Sequence, residues 1–167
     1  MEVELYKKAQ SIVTALSGNG WSVATAESCT GGGIVAALTA VPGSSACVKG
    51  GIVAYTEEVK MHLLGVASHT LHDEGVVSEQ TVIEMAKGAM KSMGSDFAVA
   101  TSGVAGPSGG TLSTPVGTIW IAVASHADVH THCIRQFNKG RGENTRNAVF
   151  VSLEMLQKVV EKEENQP

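Results

Sequence analysis

The sequence predicts a single α/β domain of three layers, with helices on both faces of a mixed, mostly parallel sheet of about five strands. Helix-like and strand-like segments alternate along the first part of the chain, as they do where strands are parallel. Residues 97–100 form a nearly continuous apolar run, which is typical of a central strand buried on both faces. Two later strand-like segments are separated only by residues 125–128, which predicts an antiparallel hairpin.

The first half of the chain is predicted to form helices and strands in alternation. Apolar residues at helical spacing predict a helix over 4–18, which ends at the Gly-Asn-Gly that begins with Gly18. The elements that follow are a strand over 21–26, a helix over 34–40, a strand over 50–55 and a short helix over 57–64 with Gly65 past its end.

The second half begins with a helix that Ser78 can cap and Gly94 ends, and its methionine-rich stripe is typical of core packing. The elements that follow are the buried strand, hairpin strands over 117–124 and 129–137, and a last helix over about 143–160. The polar residues 161–167 are expected to fray. One domain over 1–160 then accounts for the rest of the chain.

The composition indicates a globular protein and excludes several kinds of partner. The chain has 167 residues, of which 43% are hydrophobic and 17% charged. Only 4% are aromatic and the net charge is −4, so a surface that binds nucleic acid is not expected. No apolar run approaches the roughly 20 residues that cross a bilayer, and the first residues do not resemble a signal peptide. We therefore expect no nucleic-acid and no membrane partner.

The cysteines indicate a reducing compartment, and we expect a cytoplasmic protein. Cys29, Cys47 and Cys133 are odd in number and widely spaced, without a Cys-x-x-Cys pair. His130 and His132 share one face of a strand but have no third ligand nearby in sequence. A metal site is therefore not expected.

Residues 25–33 read TAESCTGGG and lie between a predicted strand and a predicted helix. Ligands of open α/β sheets bind at the carboxyl ends of strands, where this segment falls. The segment could provide a nucleophile, cradle a phosphate with the N–H groups of the helix start, or simply turn the chain. It matches neither the glycine motifs of dinucleotide and NTP sites nor Gly-x-Ser-x-Gly, so its role stays open at this point.

A second loop of glycine and hydroxyl residues, 101–111, directly follows the buried strand. The two loops face one cleft if their strands are parallel neighbours, and they are unrelated otherwise. Tyr55 ends another strand and Lys60 lies one turn into the next helix, so both side chains could reach that cleft. An exposed Lys60 would merely be solvated, whereas a buried Lys60 with a lowered pKa could deprotonate a serine.

Six segments, taken in order, resemble the CinA C-terminal domain family, whose active members are nicotinamide-nucleotide amidases of the PncC type. The resemblance runs from about residue 5 to 158 and rests on AESCTGG, VPGSS, GGIVAYTEEVKMHLLGV, GVVSEQT, TSGVAGPSGG and PVGTIWIAV. It implies a three-layer α/β/α fold. The larger amino-terminal domain of full-length CinA proteins has no counterpart here, so we expect the stand-alone form.

The resemblance implies hydrolysis of nicotinamide mononucleotide to nicotinate mononucleotide and ammonia, a step of pyridine nucleotide salvage that needs no cofactor. The family's nucleophile falls on Ser28, and the residues that assist it fall on Tyr55 and Lys60, while Cys29 is expected to pack. Ser28 would form an acyl-enzyme, with Lys60 as base directly or through the Tyr55 hydroxyl. Backbone N–H groups around Thr30 and Gly31 could stabilise the oxyanion.

The implied substrate-binding residues lie on the two glycine loops and near the last helix. They are Glu27, Thr30, Gly31, Gly32, Ser102, Gly103, Gly106, Arg141 and Arg146. The 102–110 loop and a nearby arginine are the candidates for the 5′-phosphate. Ser102 stands where the family usually has threonine, which keeps the hydroxyl.

The segment 140–146 departs from the family's Gly-Asp-Arg followed by a second arginine. Arg146 fits the second arginine, but Gly142 takes the place of the first and Arg141 stands one position early. Two outcomes are open: Arg141 reaches the same anion from a shifted backbone, or the phosphate site is weakened.

Three functions therefore compete. A serine amidase for nicotinamide mononucleotide is favoured by the presence of Ser28, Tyr55 and Lys60. A nucleotide-binding module with little catalysis is favoured by the altered 140–146 segment, and a hydrolase of a different amide or nucleotide comes third. The apolar helix faces would suit a homo-oligomer, but core packing explains them equally well.

Overall fold

Five short strands form the centre of the protein. In the computed structural model, which describes residues 2–135 and 137–166, they are β1 (Val23–Glu27), β2 (Val48–Val53), β3 (Phe97–Gly103), β4 (Ile119–Ser125) and β5 (Val129–Ile134). The strand order is β2-β1-β3-β4-β5. β1 pairs in parallel with β2 and β3, whereas β4 is antiparallel to β3 and β5. The predicted mixed sheet with one reversed hairpin strand is confirmed.

Helices cover both faces of this sheet and complete the three predicted layers. On one face lie α1 (Glu2–Asn19), α2 (Gly33–Thr39) and α6 (Arg141–Glu164), and on the other α3 (Glu57–Leu64), α4 (Ser68–Asp73) and α5 (Glu79–Met93). Thr56 caps α3, and Ser78 caps α5 as predicted, each by accepting a hydrogen bond from the backbone N–H three residues on. None of the helices in the described ranges has the length and apolar character that crossing a bilayer requires.

The two faces of the sheet differ in side-chain size. Strand residues that face α1 and α6 are mostly large, and they include Val23, Phe97, Val99, Ile119, Ile121 and Val123. The fully buried strand residues that face α5 are alanines, namely Ala24, Ala26, Ala98, Ala100, Ala122 and Ala124, and Ile52, Trp120 and Val129 pack beside them partly buried. Because alternate residues of a strand point to opposite faces, each strand supplies both kinds of surface. The alanine face is filled by longer helical side chains, among them Met85 and Leu64.

Contacts distant in sequence explain the boundaries that were predicted wrongly. The helix α4 was not predicted, and Glu84 of α5 stabilises its start by accepting hydrogen bonds from Ala67 N and Thr70 Oγ1. α6 continues to Glu164, into the tail that was expected to fray. Its last turn is held by hydrogen bonds that Ser125 donates to Glu163 and Asn19 donates to Glu164.

The second hairpin strand also ends earlier than predicted, at Ile134. The predicted strand over 129–137 included Gln136, which lies outside the described residues, as do Met1 and Pro167.

Replacing Gly88 of α5 with alanine is expected to destabilise the protein, although alanine usually stabilises a helix relative to glycine. A Cβ added there would collide with the carbonyl of Leu64 at the end of α3, whereas a Cβ at Gly18 of α1 would have nothing within 4 Å. Gly88→Ala should lower the free energy of unfolding by about 1–3 kcal/mol because of overpacking. Gly18→Ala should raise it by up to about 1 kcal/mol through helix propensity. Urea denaturation of both variants measures the difference, and a stabilised Gly88→Ala would contradict the close α3–α5 packing.

Candidate active site

The carboxyl ends of β1, β2 and β3 bring the predicted loops together. β1 and β3 are parallel neighbours with Glu27 opposite Thr101, so the two glycine-rich loops do face one cleft. Ser28 N donates to Thr101 O at 3.0 Å, and Ala54 N donates to Glu27 O at 2.8 Å. Glu27 and Ser28 are thereby bonded to β3 on one side and to the residue that follows β2 on the other.

A cavity of about 280 Å³ opens at this edge of the sheet. Seven of the predicted site residues line it: Ser28, Tyr55, Lys60, Ser102, Gly103, Gly106 and Arg141. Val76 and Val77, which precede α5, form a wall that the sequence did not indicate. Ser102 holds this wall in place, because its hydroxyl donates to Val76 O at 2.9 Å.

Lys60 lies at the floor of the cavity in direct contact with Ser28. Its side chain is buried, with 1% of the residue exposed, and Nζ lies 3.0 Å from Ser28 Oγ. Nζ also donates to Ala54 O at 2.7 Å, which fixes the direction of the amine. Burial lowers the pKa of Lys60 from its usual 10.5, and this outweighs the opposing effect of the Glu57 carboxylate. A neutral Lys60 can accept the proton of the Ser28 hydroxyl.

Cys29 is adjacent to Ser28 but lacks the properties of a nucleophile. Its side chain packs in the core between the sheet and α2, and burial raises the pKa of its thiol to about 12. Because the thiolate is the reactive form of cysteine, this side chain stays inert near neutral pH.

Hydrogen bonds to the carboxylate of Glu27 hold most of the TAESCTGGG segment in its conformation. Its residue is fully buried, and its carboxylate accepts five hydrogen bonds. Three come from backbone N–H groups at the start of α2, those of Gly32, Ile34 and Val35, at 2.9–3.1 Å. The others come from Thr25 and Thr30. The anion at this helix N-terminus is therefore one of the protein's own carboxylates.

Four of the residues that the resemblance implies for substrate binding make hydrogen bonds within the protein. Glu27 makes no contact with the cavity, and Thr30 donates to Glu27 Oε2 at 2.6 Å and lies 2.8 Å from Thr101 Oγ1. Gly31 and Gly32 adopt φ of 59° and 95°, which favour glycine. Their N–H groups bond to Ser28 O and Glu27, so Gly31 does not have the free N–H expected of an oxyanion donor.

Arg141 reaches the cavity although it stands one position early in the resemblance. It is the first residue of α6, and its Nη1 donates to Gly106 O at 2.7 Å while Nη2 donates to Tyr55 Oη at 2.8 Å. Arg141 thus joins the β3–β4 loop to the β2–α3 turn across the rim of the cavity. Tyr55 is 59% exposed. Its hydroxyl makes no hydrogen bond to Ser28 or Lys60, and all three residues lie in the described part of the chain.

Arg146 was expected beside Arg141 but faces elsewhere. It forms an ion pair with Glu143 and lines a separate cavity of about 410 Å³ between α1, α2 and α6. Among residues 2–135 and 137–166, no group of three His, Cys, Asp or Glu side chains is arranged to hold a metal ion.

The fold and the site define a three-layer α/β/α protein with a buried serine–lysine pair at the carboxyl ends of its strands. The chain belongs to the CinA C-terminal domain family, whose model matches residues 5–160.

The relatives of the chain fall into a short and a long form. It is 46% identical over 153 residues to a nicotinamide-nucleotide amidohydrolase PncC of Shigella flexneri, with 92% of this chain and 93% of that protein covered. It is 44% identical over 149 residues to a CinA-like protein of Shewanella amazonensis, with 89% of this chain covered. The chain spans only 35% of the length of that Shewanella protein.

Crystal structures of related proteins have the same fold. A competence/damage inducible protein, CihA, from Agrobacterium tumefaciens superposes with a TM-score of 0.89 at 43% identity, covering 91% of this chain and 93% of that one. A CinA superfamily protein from Klebsiella pneumoniae superposes with a TM-score of 0.90 at 35% identity, covering 95% and 98%.

Replacement of Glu27 by glutamine should cost far more stability than an ordinary surface change. The amide would present N–H groups to backbone donors and leave buried groups without an acceptor, so Glu27→Gln should lower the free energy of unfolding by about 2–5 kcal/mol. The matched control is Glu154→Gln, whose carboxylate lies 3.9 Å from Lys158 on the surface of α6 and should contribute less than about 0.5 kcal/mol. Equal stability of the two variants in urea denaturation would contradict the role given to Glu27.

Proposed function

We propose that this protein is a serine amidohydrolase that converts nicotinamide mononucleotide into nicotinate mononucleotide and ammonia. The observation that carries the proposal is the 3.0 Å contact between Ser28 Oγ and the buried amine of Lys60. The name of the Shigella flexneri relative, which aligns over nearly its whole length, supports the choice of substrate. The reaction would serve pyridine nucleotide salvage in the cytoplasm.

Acylation uses Lys60 first as a base and then as an acid. The neutral amine takes the Ser28 proton as Oγ attacks the carboxamide carbon, and a tetrahedral oxyanion forms. The Lys60 ammonium then gives its proton to the departing amide nitrogen, which leaves as ammonia. A nicotinoyl ester on Ser28 remains.

Deacylation repeats these steps with water. Lys60 takes a proton from a water molecule that attacks the ester carbon, and the second tetrahedral intermediate collapses. Ser28 Oγ leaves and recovers the proton from Lys60, which restores the enzyme, and the product leaves as a carboxylic acid that releases its proton to water and becomes the carboxylate. No histidine is needed, because burial already favours the neutral form of the lysine.

The N–H group of Cys29 is the proposed oxyanion donor. Among the described residues it has no hydrogen-bond acceptor, whereas the N–H groups of Gly31 and Gly32 are already bonded. Cys29 follows the nucleophile directly, as one oxyanion donor does in α/β-hydrolases, and it lines the cavity.

The position of Arg141 speaks against the alternative of a binding module with little catalysis. That alternative rested on the altered 140–146 segment, yet Arg141 lines the same cavity as Ser28.

Ammonia release from nicotinamide mononucleotide tests the nucleophile. Ser28→Ala should lower kcat by about 10⁴-fold or more, because the step that forms the acyl-enzyme is lost. Cys29→Ala is the matched control and should retain most of the activity, since its thiol stays protonated. Loss of activity in Cys29→Ala alone, with a folded protein, would transfer the role to the thiol. A folded wild type without ammonia release would overturn the amidase itself.

The pH dependence of kcat/KM tests Lys60 as the base. Its active form is the neutral amine, so kcat/KM should rise with pH as Lys60 loses its proton. Since burial lowers this pKa, the plateau should be reached below the usual lysine value of 10.5. Lys60→Met should remove the activity, and the exposed Lys49→Met should leave the profile unchanged. A wild-type profile that still rises at the usual lysine pKa would contradict the lowered pKa, and activity retained in a folded Lys60→Met would exclude Lys60 as the base.

A further inference from the structure

Thr101 of β3 is bonded to the turn that carries Ser28, although it is not among the cavity-lining residues in the described part of the chain. We propose that the Thr101 hydroxyl is the positioning group for the oxyanion donor, the N–H of Cys29. It touches neither the substrate nor the reacting atoms and acts through the backbone of residues 28–30. This role rests on the proposed function, which supplies the oxyanion.

The hydroxyl of Thr101 is a polar group in a strand that is apolar up to this residue. β3 begins with Phe-Ala-Val-Ala, and the Thr101 side chain points to the same face as Phe97 and Val99, with the residue fully buried. Valine has nearly the same shape, favours strands equally and would bring no polar atom into the core. The hydrogen bond of the hydroxyl is therefore what distinguishes Thr101 from a valine.

The direction of that hydrogen bond follows from the groups on either side of it. Thr30 Oγ1 lies 2.6 Å from Glu27 Oε2 and 2.8 Å from Thr101 Oγ1. An ionised carboxylate can only accept, so the one hydroxyl proton of Thr30 goes to Glu27. Thr101 must then donate to Thr30, and the two hydrogen bonds form a chain that ends on a charged acceptor. Bonds in such a chain polarise and strengthen one another.

Thr101 holds the turn on both sides of Cys29. Its carbonyl accepts a hydrogen bond from Ser28 N at 3.0 Å, and its hydroxyl is bonded to Thr30 at 2.8 Å. The peptide that carries the Cys29 N–H thus lies between two residues that are fixed to the same residue of β3. An oxyanion donor is effective when its N–H is already aimed at the place where charge develops. Loss of the hydroxyl removes one of the two anchors that aim it.

Thr101→Val tests this role because it removes only the hydroxyl. It should lower kcat for nicotinamide mononucleotide by about ten-fold or more and leave KM within about two-fold, since the oxyanion forms only in the transition state. Thr101→Ser keeps the hydroxyl and should retain kcat within about two-fold.

Thr70→Val is the matched control for the loss of a buried threonine hydroxyl. Thr70 is buried on α4 and donates to Glu84 at 2.7 Å. Its replacement should lower stability but leave kcat and KM within about two-fold of the wild type. An equal loss of kcat in Thr70→Val and Thr101→Val would show a general effect of destabilisation and overturn the role of Thr101.

Thr30→Val and the double variant with Thr101→Val show whether the two hydroxyls act as one chain. Residues of one hydrogen-bonded network are not additive. The double variant should have the kcat of Thr30→Val alone, because that single change already removes the acceptor of the Thr101 hydroxyl. Losses that multiply in the double variant would overturn the chain.

Pyridine-3-boronic acid provides a readout that needs no turnover. The Ser28 oxygen adds to its trigonal boron while Lys60 takes the hydroxyl proton, so a tetrahedral boronate anion forms and no group leaves. One boron-bound oxygen of this adduct then occupies the place of the oxyanion. In calorimetry, Thr101→Val should bind the acid about ten-fold more weakly, whereas Thr101→Ser and Thr70→Val should stay within about two-fold of the wild type.

The outcomes separate this role from the proposed function. If Thr101→Val weakens binding of the boronic acid while the wild type releases no ammonia, the role of Thr101 stands and the nicotinamide mononucleotide amidase fails. If ammonia is released and Thr101→Val has the kcat of the wild type, the amidase stands and the role of Thr101 is wrong. A loss in Thr101→Ser as large as that in Thr101→Val would also overturn the role, because the hydroxyl would not be its cause.

Discussion

The carboxylate of Glu27 is the constraint on which the rest of the site depends. A helix that starts after a strand usually offers its N–H groups to an external anion. Here a side chain from the strand itself takes three of those groups, so the chain can turn sharply between β1 and α2 while the N–H groups of Gly32, Ile34 and Val35 keep an acceptor. Ser28 projects from this turn into the cavity, and an external anion must bind elsewhere.

Burial determines the reactivity of the two ionisable side chains next to Ser28. Desolvation opposes charge of either sign, so it lowers the pKa of Lys60 and raises that of Cys29. The first shift yields an amine that can act as a base, and the second keeps a stronger nucleophile protonated. In the proposed mechanism, the choice of serine over the neighbouring cysteine thus follows from one physical effect.

The sequence predicted the architecture and the core of the site because both depend on local patterns. Strand and helix periodicity placed Ser28, Tyr55 and Lys60 near the carboxyl ends of predicted strands. Parallel pairing of those strands brings the three residues to one edge of the sheet. Helix geometry explains why Arg146 does not line the same cavity as Arg141. At about 100° per residue, side chains five positions apart point about 140° apart, so Arg141 and Arg146 cannot face the same cavity. The partner of Tyr55 and the bonds that hold the last turn of α6 are contacts between residues distant in sequence, which no local pattern carries.

The position of Arg141 in the chain has a consequence for the order in which the protein is made. Ser28 and Lys60 precede Arg141 in the polypeptide, and the strand that anchors Ser28 ends at Gly103. The rim is complete only when α6 supplies its first residue. On the ribosome, a growing chain therefore carries Ser28 and Lys60 before the cavity has its cationic wall. Synthesis of α6 is the event that completes the cavity.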